Sequence, residues 1–152
     1  MSQLQRDYAR LWLGPLRRAI RLDGLKFEKG VVVACRLSGE RAAEFTGHPL
    51  WRTVRSVDVR NLQWNVSLPR VRDFFAAPVM SGLSELRGVS VPLLTALMER
   101  RMPWRLRELE VLGYGALEPG FLDWLPAFRA LERCTVNGLR WRKRDGVWAA
   151  AG

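Results

Sequence analysis

A short pattern, apolar-x-x-apolar-x-apolar, returns along this chain and constrains its fold more than any other feature. The copies are Val32-x-x-Cys35-x-Leu37, Val54-x-x-Val57-x-Val59, Leu83-x-x-Leu86, Leu106-x-x-Leu109-x-Val111 and Leu131-x-x-Cys134-x-Val136. In the third copy Gly88 takes the last apolar place and Val89 follows it. Starts at 32, 54, 83, 106 and 131 are separated by 22, 29, 23 and 25 residues, the spacing of a repeat architecture. Within each copy the apolar residues alternate like a half-buried strand. A unit this short cannot bury its apolar flank alone, so the units must stack, with their strands paired in parallel.

The prolines punctuate the same scheme. Pro49, Pro78 and Pro126 each stand five residues before a strand start, and Pro103 stands three before one. Proline ends a helix and pushes the residue before it toward extended geometry, so these four read as helix exits. Pro69, Pro92 and Pro119 lie between a strand and the next exit, where proline suits the first turn of a helix. Ser67 and Ser90 sit at N-cap positions. The segments between carry helical spacing: Leu68, Val71, Phe74 and Phe75; Leu93, Leu94, Leu97 and Met98; Phe121, Leu122, Trp124, Leu125 and Phe128. Glu40–Phe45 is a shorter helical candidate.

Both ends have the makings of caps, which stacked repeats need to cover open core and strand edges. Leu4–Leu22 reads as an amphipathic helix interrupted near Gly14-Pro15. Leu25–Leu37 alternates around a Lys29-Gly30 turn. Leu139 and Trp141 alternate with Arg140 and Arg142 on one strand, Asp145-Gly146 is a favoured two-residue turn, and Val147-Trp148 return. The expected organisation is one domain: an N-terminal cap over 1–30, repeats over 31–138 and a C-terminal hairpin over 139–152. Cys35 and Cys134 fall at core positions of the first and last copies, about four strand spacings or ~19 Å apart. A disulfide spans less than about 7 Å between Cα atoms, so both are expected to be buried, reduced thiols.

The chain resembles a bacterial leucine-rich-repeat family whose members carry a repeat-companion region ahead of the repeats. The resemblance lies in Trp12-Leu13-Gly14-Pro15-Leu16, Phe27-x-x-Gly30 and His48-Pro49-Leu50-Trp51-x-x-Val54-x-x-Val57-x-Val59, together with the copies at 106 and 131. It implies an α/β fold: a short, curved leucine-rich-repeat-like solenoid with parallel strands on one face and helices on the other. It also implies protein–protein interaction and brings no catalytic residues. The asparagine that ordinarily follows the third apolar position by three is absent, since Leu62, Tyr114 and Leu139 stand there. No asparagine ladder is expected, and the strand-to-helix turns should be irregular.

Little in the chain suggests catalysis. The single histidine, His48, precedes Pro49 and reads as a turn residue rather than a catalytic one. Two isolated cysteines and one histidine make no zinc spacing, and no phosphate-binding glycine motif is present. Gly113-Tyr114-Gly115 reads as a turn. The expectation is a non-enzymatic module with no cofactor, no metal and no evident small-molecule substrate. No apolar run approaches the roughly 18 residues of a membrane span, and the first ten residues carry no secretory pattern, so no membrane partner and a cytoplasmic location are expected.

A partner is sought on the strands' outward face, where residues between core positions form columns. One column reads Arg36, Asp58, Arg87, Glu110 and Thr135; another reads Ala34, Ser56, Glu85, Glu108 and Arg133. With Arg60, the charged members of these columns and Thr135 form the candidate protein-binding face. Their alternating sign also suits a role in holding strand register, and it makes a poor continuous phosphate track. The net charge of +10 raises an alternative, a basic nucleic-acid-binding accessory subunit. Its candidate patch is Arg140, Arg142, Lys143 and Arg144 around Trp141, which suits phosphate pairing and base stacking or, alternatively, a hairpin whose tryptophan packs on the last repeat. Arg100, Arg101, Arg105 and Arg107 form a second basic cluster.

Overall fold

A computed structural model of the chain describes residues 2–62, 66–113 and 119–151. Tyr114 and Gly115 of the expected turn lie outside the described residues, as do Trp64 and the side chains of Phe121 and Trp124. The chain is an α/β protein built on one eight-stranded sheet whose spatial order is the chain order. The strands are β1 Ile20–Glu28, β2 Val31–Leu37, β3 Ser56–Asp58, β4 Glu85–Ser90, β5 Glu108–Leu112, β6 Arg133–Val136, β7 Leu139–Arg144 and β8 Val147–Ala150. From β2 to β6 every neighbouring pair is parallel; the pairs at both ends are antiparallel.

The repeated apolar positions fall into register. Cys35, Val57, Leu86, Leu109 and Cys134 pair in succession across the five parallel strands, and all five are buried. They join one core cluster with the inward residues of α2 (Leu68–Ala76) and α3 (Val91–Met98). The third copy keeps this register through a bulge. The pairing shifts between Leu86 and Val89, so that Val89 meets Val111. Gly88 absorbs the extra residue at φ 70°, in the left-handed region that glycine enters without penalty.

Between the strands the chain turns helical, in two ways. α2 and α3 occupy the segments marked by Val71, Phe74 and Leu94, Leu97. Ser90 caps α3 by accepting a hydrogen bond from the Leu93 amide, 3.3 Å, whereas Ser67 makes no such bond. Glu40–Phe45 and Pro119–Trp124 are 3-10 helices instead. Six residues give too few bonds to repay α-helix nucleation. Pro49, Pro78 and Pro126 correct the expectation of closed helix exits: each opens a further 3-10 turn leading toward the next strand. The physical basis is unchanged. The residue before each is extended, with ψ of 136°, 138° and 125°, and a fixed φ suits the first position of either helix type. His48 precedes one such turn, and its Nδ1 accepts from the Leu50 amide at 3.1 Å.

Two tryptophans tie successive layers together. Trp51 and Trp104 are fully buried. Their indole N–H groups donate to the carbonyls of Phe45 and Phe75, each at 2.9 Å. Trp51 packs edge-on against Phe74 and Trp104 against Phe128, with ring centroids 5.0 and 6.0 Å apart. Each ring thus buries a large apolar area with its one polar atom satisfied.

At the N-terminal end, α1 (Gln3–Leu13) begins with a capping box between Ser2 and Gln5 and gives way to a 3-10 helix over Gly14–Arg18. The expected helix to Leu22 ends earlier, because the period-two pattern begins at Ile20: Ile20 is buried and pairs with Leu37. Lys29-Gly30 forms the expected turn, with φ 49° and 81°. Asp145-Gly146 does the same at the other end, with 51° and 78°, and Asn137-Gly138 makes a third such turn between β6 and β7. Cys35 and Cys134, on β2 and β6, are free and buried. Burial pushes both thiols up to about 12, and the Asp58 carboxylate adds to the effect at Cys35. No described helix is long and apolar enough to cross a membrane.

The bulge yields a sharp test. A Cβ added at Gly88 would lie 2.7 Å from the Arg60 Cβ and 2.9 Å from its backbone nitrogen. Gly88→Ala therefore combines a left-handed φ with a backbone clash, and is expected to lower unfolding free energy by about 2–4 kcal/mol. Urea denaturation checks this.

Candidate functional site

The sheet's other face is built from the residues between the core positions. Ala34, Ser56, Glu85, Glu108 and Arg133 pair in succession, as do Arg36, Asp58 and Arg87, then Glu110 and Thr135. Both expected columns are present, and the step from Arg87 to Glu110 crosses the bulge. None of these side chains is buried.

An ion network runs over this face. Arg36 reaches Asp23 on β1 at 3.1 Å and Asp58 on β3 at 3.2 Å. Arg60 holds Asp58 at 2.8 Å and extends to Glu110 on β5 at 3.0 Å. To do so it passes over β4 at Gly88, where the missing side chain leaves room for its backbone. Asp58, the meeting point of two arginines, is 13% exposed, the most sheltered carboxylate of the network. Its Oδ1 also accepts the Arg60 amide at 3.0 Å.

Glu85 and Glu108 stand opposite one another on β4 and β5. Like charges in that position repel, and their surroundings separate their roles. Burial pushes Glu85 up, but hydrogen bonds from Arg87, Glu108 and Ser56 outweigh it and hold Glu85 below the ordinary glutamate range. Burial pushes Glu108 up, the hydrogen bond to Glu85 and its charge push further, and Arg133 and Arg87 only partly offset them. Arg133 donates to Glu108 at 3.2 Å. Glu108 is thus the member that keeps its proton to higher pH.

The expected basic patch divides. Arg140 pairs with Thr135 and Arg142 with Arg133, which puts both on the exposed sheet face, with Arg144 two residues further along the same strand. Lys143 lies on the opposite side. There it bonds Asp123, stands 5.5 Å from the Trp148 ring centre, and shares Asp123 with the Trp148 indole at 3.4 Å. Trp141 pairs with Cys134 and packs half-buried against the core. Trp141 and Lys143 therefore fasten the hairpin, while the arginines extend the candidate face across β7. Leu139 pairs with Val136 at the rim of the core side yet is 67% exposed. Alternation within residues 139–144 was the sequence signal for this division, since every second residue points the other way.

In the second basic cluster, Arg100, Arg101 and Arg105 line one cleft, and Arg100 is partly neutralised by Asp73 at 2.7 Å, which also takes Arg72 at 3.3 Å. No protein-family model, curated protein or solved structure matches this chain.

The glutamate pair makes stability depend on pH. The raised Glu108 value means that the folded protein holds a proton the unfolded chain has released just above the ordinary glutamate range. Stability from Glu108 therefore falls as pH rises through that window and stays lower above it, whereas the contribution of Glu85, held low, is lost as pH falls. Glu108→Gln keeps an oxygen for Arg133 and removes the repulsion. It is expected to raise Tm at neutral pH by on the order of 2 °C and to give no gain below about pH 4. Thermal melts across that range check the sign.

Proposed function

We propose that the chain is a short leucine-rich-repeat-like solenoid serving as a non-enzymatic protein-interaction module or assembly subunit. One observation carries the reading. The helices' apolar residues join the core on one side of the sheet, while the other side is polar and, among the described residues, uncovered across six strands. A rigid, uncovered sheet face with fixed charges suits recognition of a protein surface. Sequential parallel strands, repeat lengths of 22 to 29 residues and the resemblance to repeat-companion proteins support the solenoid. The buried, unlinked cysteines suit a reducing compartment such as the cytoplasm.

A second reading, a basic nucleic-acid-binding accessory subunit, draws on the net charge of +10. The tagged chain, used as bait in native lysate with and without nuclease, separates the two. We expect a defined protein partner that persists after nuclease, is weakened about tenfold by Thr135→Glu on the sheet face, and is unaffected by Arg52→Glu away from it. A partner set indifferent to Thr135→Glu, or one that disappears with nuclease, would contradict the proposal.

A further inference from the structure

The arginines of the sheet face fall into two groups. Arg36, Arg60, Arg87 and Arg133 each bond a carboxylate on their own or a neighbouring strand. Arg140, Arg142 and Arg144 take part in no ion pair among the described residues. All three are exposed. They recur at every second residue of β7, and Arg142 stands directly across from Arg133. Two arginines in that position repel, and only Arg133 has a carboxylate to offset it. The far side gives no relief, because β8, Val-Trp-Ala-Ala, carries no acid. Beside the ladder the face is hollowed into an open groove of about 580 Å³ that includes Arg133, Thr135, Arg140 and Arg142, passes Glu108 and Glu110 and reaches Arg87.

We infer that this arginine ladder on β7 is the docking strip for an extended acidic segment of a partner protein. From Arg140 to Arg144 it covers about 14 Å, at ~3.4 Å per residue, and an extended chain with acids at alternate positions has the same period. Two observations favour an acidic polypeptide over a nucleic acid. Trp141 borders the groove, but its pairing with buried Cys134 and its packing against the core put its ring on the other side of the sheet, as Asp123 does for Trp148, so the strip offers no exposed ring face on which a base can stack. Glu108 and Glu110 lie in the groove between Arg133 and Arg87, so a phosphate backbone crossing the face would meet two carboxylates. The short charged strip suits a ligand that is acidic only locally. The inference rests on the protein-interaction reading and names its partner's chemistry.

The test uses the full chain and three probes: fluorescent deca-glutamate, deca-glutamine and decathymidylate. We expect deca-glutamate to bind in a salt-sensitive manner and deca-glutamine not to bind. The triple variant R140Q/R142Q/R144Q should weaken deca-glutamate binding about tenfold or more. The control R17Q/R18Q/R52Q removes the same charge from exposed arginines elsewhere and should change it less than about twofold. Circular dichroism confirms that both variants are folded. Equal losses in the two variants would mean attraction to net charge alone and overturn the inference. So would decathymidylate binding as tightly as deca-glutamate and depending on the same three arginines. A lysate partner that still depends on Thr135 but ignores the ladder would overturn the docking strip while leaving the protein-interaction reading intact.

Discussion

Everything in this structure depends on one apolar rung repeated across parallel strands. Cys35, Val57, Leu86, Leu109 and Cys134 lie side by side with essentially no solvent contact. Complete burial of a side chain of this kind contributes about 1.5–3 kcal/mol. An exposed ion pair contributes roughly 0–1 kcal/mol. The rung therefore sets strand order and register, and the charged face above it inherits its geometry. Because side chains alternate with period two, fixing the core residues fixes which residues look outward. The columns of the candidate site are a by-product of core packing, and their charges refine a register already chosen.

Fold and face meet at Gly88. The bulge lets β4 carry one residue more than β5 and still deliver Val89 to the core. The same glycine lets Arg60 cross β4 and join Asp58 to Glu110. A core irregularity thus becomes a bridge between the third and fifth strands. The network grows less compensated toward the C-terminal end: acids and arginines are matched from β1 to β6, and β7 adds arginines without acids. That gradient, more than the net charge, distinguishes the C-terminal hairpin from the rest of the face.

Much of this was legible in the residues. The apolar pattern gave the parallel strands and their register because period-two burial leaves a direct trace in the sequence. The hairpin turns at Lys29-Gly30 and Asp145-Gly146 were readable because a positive φ at two successive positions restricts residue choice. Helix type was less so. Proline and apolar spacing mark a turn of helix without separating α from 3-10 geometry, and Glu40–Phe45 was too short to decide by pattern. The strand beginning at Ile20 was obscured because Ile20 and Leu22 fit a helical period as well. The basic stretch at 140–144 read as one patch because linear charge counts ignore the face each residue takes. Pairing with Arg133 and Thr135 is what splits Lys143 from the three arginines.

The central claim is most directly tested by solution NMR of the methyl-labelled protein. The apolar rung predicts strong methyl–methyl NOEs from Val57 to Leu86 and from Leu86 to Leu109, across parallel strands about 4.8 Å apart. Absence of both, with either leucine instead in contact with other residues, would contradict it.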